Sequence, residues 1–117
     1  MANMSVIRLG GSTLGLSVGT SVHSAVALKA NTPDQINYVS CLNTGSANVA
    51  IKFSTISTDA AVLPADGTFG DFLLPALMET PIVIACPPIN SQAACYVTAI
   101  AASGTNLVYV TPMVDQS

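Results

Sequence analysis

The chain reads as an all-β domain, an antiparallel β-sandwich or jelly-roll-like barrel of about seven to eight short strands with an extended N-terminal arm. Three observations predict it. Val, Ile and Thr are abundant while charged, long-chain helix formers are scarce, which favours pleated surfaces. Several apolar runs alternate with period two, the signature of a half-buried strand. Turn signals such as "GGSTLG", "NTPDQ", "NTGSAN", "PADGTFG", "PPINSQ" and "SGTN" punctuate the chain at intervals of roughly 8–15 residues. No βαβ rhythm interrupts them.

Taken in order, strands are expected near 4–9, 21–29, 36–42, 48–54, 69–74, 80–86, 94–101 and 105–111. In the second, Val22, Ser24, Val26 and Leu28 share one face, and His23, Ala25 and Ala27 the other. In the fourth, Val49, Ile51 and Phe53 point towards a core and Ala50 and Lys52 away from it. The segment 10–20, "GGSTLGLSVGT", is rich in Gly, Ser and Thr and reads as a flexible or extended arm. Residues 1–20 are thus assigned to an arm with a first short strand, and 21–117 to one sandwich domain. Residues 55–63 and 75–80 suit a helical turn or an irregular edge.

Charge is the compositional oddity. The 117 residues hold only three Lys or Arg and six Asp or Glu. A folded chain of this size exposes roughly 6,000 Å², so each charge serves roughly 660 Å² of surface. Ordinary domains carry about 25% charged residues. A neutral surface does little to keep copies apart, so a subunit of an assembly is expected. Three dispersed basic residues cannot neutralise a phosphate backbone, and direct nucleic-acid binding is not expected. No membrane span is expected either: the longest apolar run, "TPIVIACPPI" at 80–89, is short and broken by Pro87 and Pro88. The start, "MANMSVIRLGGSTLG", lacks the pattern of a secretory signal.

Catalytic chemistry is not indicated. His23 is the single histidine, and no G-x-S-x-G elbow or nucleophile–base spacing accompanies it. Cys41, Cys86 and Cys95 form no C-x-x-C pair, and the acidic residues lie in or beside turns, so no metal site or cofactor is expected. The thiols read as reduced and buried; Cys86 and Cys95 would face each other if "PPINSQAA" joins a hairpin. The stretch "NTGSAN" feeds a strand rather than a helix N-terminus, so it reads as a turn in which Gly45 takes positive φ, not as a phosphate cradle.

Three segments carry a family resemblance: "NTGSANVAIKFS" (43–54), "TDAAVLPADGTF" (58–69) and "YVTAIAASGTNLVYVTP" (96–112). Over residues 36–112 the chain resembles small capsid decoration (cement) proteins and related head accessory β-domains of tailed bacteriophages. That resemblance implies a non-enzymatic virion protein, made in the host bacterial cytoplasm. It would bind the outer capsid surface, commonly as a homotrimer, and reinforce contacts between major capsid protein subunits. The candidate interface residues are Arg8, Leu14, Leu16, Lys52, Leu77, Met78 and Ile89, with Leu74 and Ile82 as further apolar anchors shared with the core. The alternatives are another phage structural β-domain (head-fibre base, neck or tail-associated protein) and a carbohydrate-binding β-module.

Overall fold

The computed structural model describes residues 8–30, 36–90 and 94–114. They form nine strands: β1 (Arg8–Leu9), β2 (Leu14–Val18), β3 (Val26–Leu28), β4 (Ile36–Asn43), β5 (Val49–Ser54), β6 (Phe72–Leu74), β7 (Ile82–Ile89), β8 (Cys95–Ala101) and β9 (Asn106–Val114). No helix occurs among the described residues. The all-β prediction therefore holds.

All pairings are antiparallel and fall into two sheets. One sheet is ordered β2–β9–β4–β7, with β1 beside β2 along the same side of β9; the other is β3–β8–β5–β6. The pairs β2·β9, β3·β8, β4·β7 and β5·β6 are nested. The chain is thus one long hairpin, reversed between β5 and β6, whose arms are rolled into two layers. This is the jelly-roll winding.

Period two explains the core. In the first sheet Leu14, Leu16, Val18, Val39, Cys41, Val108 and Val110 point inward, and in the second Leu28, Val49, Ile51, Leu74, Val97, Ala99 and Ala101 do. The two inner faces meet as one apolar cluster. Fully burying one such Leu or Val side chain contributes about 1.5–3 kcal/mol.

Several sequence expectations are corrected. Residues 14–18 are not a free arm but a strand paired with β9 over Leu14↔Val110 to Val18↔Asn106. The Gly and Ser residues there occupy the outer face, and Leu16 and Val18 the core. The expected strand 21–29 shortens to Val26–Leu28, because residues 19–23 cross between sheets and hold β8 irregularly, Ala101 N–H bonding Gly19 O and His23 N–H bonding Ala99 O. Residues 55–63 and 75–80 form bends and turns rather than helix. Residues 4–7 of the first expected strand lie outside the described residues.

The turn at 43–48 is built differently from expectation. Gly45 does not have positive φ; among the glycines only Gly67 and Gly104 do. Gly45 is required by close approach, since a Cβ there would collide with the Asn106 side chain. Asn106 and Asn43 are both buried and fully used. Asn43 Oδ1 accepts from Gly45 N–H at 3.0 Å, and its Nδ2 donates to Ala47 O at 2.9 Å and Pro75 O at 3.1 Å. Asn106 Oδ1 accepts from Ala47 N–H at 3.0 Å, and its Nδ2 donates to Ser103 O at 2.9 Å. Two amides thereby tie three turns together at one end of the sandwich.

Candidate functional site

The sandwich opens most widely at its β6/β7 side; a smaller hollow of about 350 Å³ lies at the β2/β3 side, lined by Leu14, Ala27, Leu28 and Ala30. β6 has three residues and pairs only with Val49–Ile51, so the second half of β5 loses its neighbour. β7 lies across the layers from it, at the edge of the other sheet. The result is a groove of about 560 Å³ lined by Ile51, Phe53 and Phe72 on one wall and Ile84, Cys86 and Pro87 on the other. Lys52 and Asp71 supply its charged lining. Phe72 faces inward by register opposite Ile51, yet remains 48% exposed.

Exposed apolar residues also occur on β6, β7 and the loops that adjoin them. Phe69 is 99% exposed on the loop that precedes β6, and Leu77 is 69% exposed on the loop that follows it. Ile82 and Leu73 are also exposed. Single exposed hydrophobic residues are ordinary; several on β6, at the start of β7 and on their adjoining loops set this edge apart. Leu77 is also held at φ 54°, a left-handed conformation uncommon for a branched apolar residue. Its N–H bonds Gly45 O at 2.9 Å, and the next residue, Met78, bonds Asn43 O at 2.9 Å. The buried turn thus holds Leu77 outward.

Of the sequence-derived interface residues, Leu77 is exposed on the loop after β6, outside the groove lining, and Lys52 is half-buried within the groove. Leu16 and Ile89, each 1% exposed, are corrected to core residues. Their alternation places them between the sheets, where no partner reaches them. Leu14 and Met78 are half-buried and pack on the core, Met78 Sδ also accepting Asn43 N–H at 3.3 Å. Arg8 lies in β1 opposite Val114, on the far side of the sheet from the groove, and its side chain lies outside the described residues. Leu74 is buried and Ile82 is exposed. Sequence reasoning passed over Phe69 and Phe72 as strand residues; the Gly-rich "DGTFGD" around Phe69 was the available signal of a projecting loop.

The thiols take an unexpected arrangement. Cys86 and Cys95 belong to β7 and β8, which lie in different sheets, so they do not face each other across a hairpin. They approach each other between the layers instead, Cys95 buried and Cys86 half-buried at the groove, near enough for the two thiols to interact. The Cys95 thiol, with burial, raises the Cys86 pKa, and the Cys86 thiol lowers that of Cys95. Burial alone pushes Cys41 up to about 12. His23 lies where the chain crosses between sheets: its Nδ1 is 2.7 Å from Ser24 O, and its own carbonyl accepts from Thr98 Oγ1 at 2.7 Å. Among the described residues no three His, Cys, Asp or Glu side chains converge as a metal site would require.

Comparison of the chain with protein-family models, curated proteins and solved structures returns no match.

Proposed function

We propose that this chain is a non-enzymatic virion structural protein, a capsid decoration protein that binds the outside of a phage head and stabilises contacts between major capsid protein subunits. The observation that carries this reading is the exposed apolar residues of one edge, Phe69, Phe72, Leu77 and Ile82, together with an open groove lined in part by Phe72, on an almost uncharged domain. A surface of that kind gains from being covered, and specific interfaces cover about 800 Å² per partner. The sequence resemblance supplies the partner, and the homotrimer it implies supplies repetition. Repeated modest contacts on a symmetric shell act together as avidity when the geometry permits simultaneous engagement.

A jelly roll serves viral shells and lectins alike, so the fold itself does not choose between them. Carbohydrate sites use aromatic platforms flanked by hydrogen-bonding groups, and Phe53 and Phe72 do line the groove beside Lys52 and Asp71. The choice therefore rests on the sequence resemblance and the sparse charge. The test is to mix purified chain with undecorated heads and count bound copies. Saturable binding that falls in Phe69→Ala and Leu77→Gly variants is expected. Absence of binding to heads, with retention on a glycan array, would transfer the protein to the ligand-binding class.

A further inference from the structure

Among the described residues no strand pairs with the outer edge of β7, and the chemistry of that edge constrains what can pair with it. Thr44 N–H bonds Leu107 O, and Met78 N–H bonds Asn43 O. Odd-numbered residues of β4 therefore turn their backbone groups away from β9 and towards β7. The register Val39↔Ile84 and Cys41↔Ile82 then uses the groups of Ile82 and Ile84 inside the sheet. The N–H and C=O groups of Val83 and Ala85 face outward. No hydrogen bond from a described residue meets them, and Ala85 is exposed. The strand carries no charge, the usual guard of an open edge.

Prolines bound this short segment. Pro81 precedes the strand and Pro87 lies two residues beyond Ala85, and neither can donate a hydrogen bond. We infer that β7 pairs with β7 of a second copy, antiparallel about a two-fold axis through Ile84. In that register Val83 lies opposite Ala85 of the second copy, and Ala85 opposite its Val83. Four backbone hydrogen bonds close from two residues on each side. Pro81 then lies opposite Pro87 of the second copy, so no donor faces a residue that cannot answer it. Sliding the strands by two residues sets a proline against Val83 or Ala85 and forfeits bonds. The arrangement is self-complementary, as a two-fold contact must be. It also brings the two grooves edge to edge, with the two Ile84 side chains in contact on the groove face. The partner of this surface is thus a second copy of this chain, in a contact separate from any threefold one.

Solution measurements on the full chain, with no heads present, test this independently of the virion reading. Sedimentation equilibrium of the wild type is expected to show a dimer, or a larger species of even copy number. Ala85→Pro removes only an outward N–H, so it keeps the wild-type β-sheet spectrum while the dissociation constant rises at least about tenfold. Residues at a non-hydrogen-bonded position have Cα atoms about 4.5 Å apart, within disulfide reach. Ile84→Cys is therefore expected to cross-link to its own counterpart under mild oxidation, located by peptide mass spectrometry, whereas Ser103→Cys in the β8–β9 turn is not. A monomeric wild type, or an oligomer that survives Ala85→Pro and yields no peptide joined to its own copy through the introduced thiol of the I84C variant, overturns the inference.

Discussion

Asn106 occupies the space that a side chain at Gly45 would need. The amide is buried and already bonded to Ala47 N–H and Ser103 O, so it cannot swing aside without leaving polar groups unmet. Gly45→Ala is therefore expected to destabilise the domain by about 2 kcal/mol, within the range for overpacking a tight site. Asn106→Ala should cost about 1–3 kcal/mol through the lost buried hydrogen bonds. Combining the two should cost less than their sum, because the collision disappears with the amide. Urea unfolding of the four proteins measures all three terms.

Cys41 supplies a pH dependence with a definite sign. The folded thiol keeps its proton until about 12, against an ordinary value of 9.0. The unfolded chain loses that proton earlier, so above the ordinary value the unfolded state gains and stability falls as pH rises towards the folded value. The slope from this group reaches at most about 1.4 kcal/mol per pH unit. Below that window its contribution is constant. Cys41→Ala, though less stable at neutral pH, should show a shallower alkaline decline, read from denaturation midpoints across the window.

Cys86 and Cys95 offer a redox probe of the two-layer packing. Their side chains meet between the sheets although their strands share no ladder. Mild diamide treatment is expected to consume two of the three thiols in each chain, leaving Cys41. Peptide mapping should place the bond between β7 and β8, and Cys86→Ser should abolish it. Cross-linking of Cys41 instead would contradict the interior arrangement described above.

Phe69 and Leu77 separate binding from folding. Phe69 is 99% exposed, so Phe69→Ala should change stability by less than about 0.5 kcal/mol. Leu77→Gly should raise stability by about 0.5–1 kcal/mol, since glycine adopts the left-handed conformation without steric strain. Both variants should nevertheless bind undecorated heads more weakly than the wild type. Calorimetric melting beside a head-binding assay provides the comparison; a Leu77→Gly variant that melts lower would remove the strain argument.

Local pattern was enough for much of the fold. The alternation in "NVAIKFS" and in "YVTAIAA" is visible without any partner, because the period of a strand is a property of its own backbone. The turns at 43–48 and 102–105 were equally legible from Asn, Gly and Ser. The strand at 14–18 was hidden because its outward positions are Gly15 and Ser17, which resemble a linker until Leu14, Leu16 and Val18 are seen to share a face. Of the candidate surface, Leu77 and Lys52 were found from sequence and Phe69 and Phe72 were not.

By itself, then, the sequence determined the secondary-structure class, the low charge, and which residues of each strand share a face. Only the tertiary structure decided which strands are neighbours. β2 pairs with β9 and β3 with β8 across most of the chain, and nothing local encodes such distant pairing. It also decided which inward-facing residues stay uncovered. Leu16 and Phe72 both face the interlayer space, yet one lies under a full opposing sheet and the other at the β6/β7 opening. Burial depends on what lies on the other side, and alternation along one strand cannot report that.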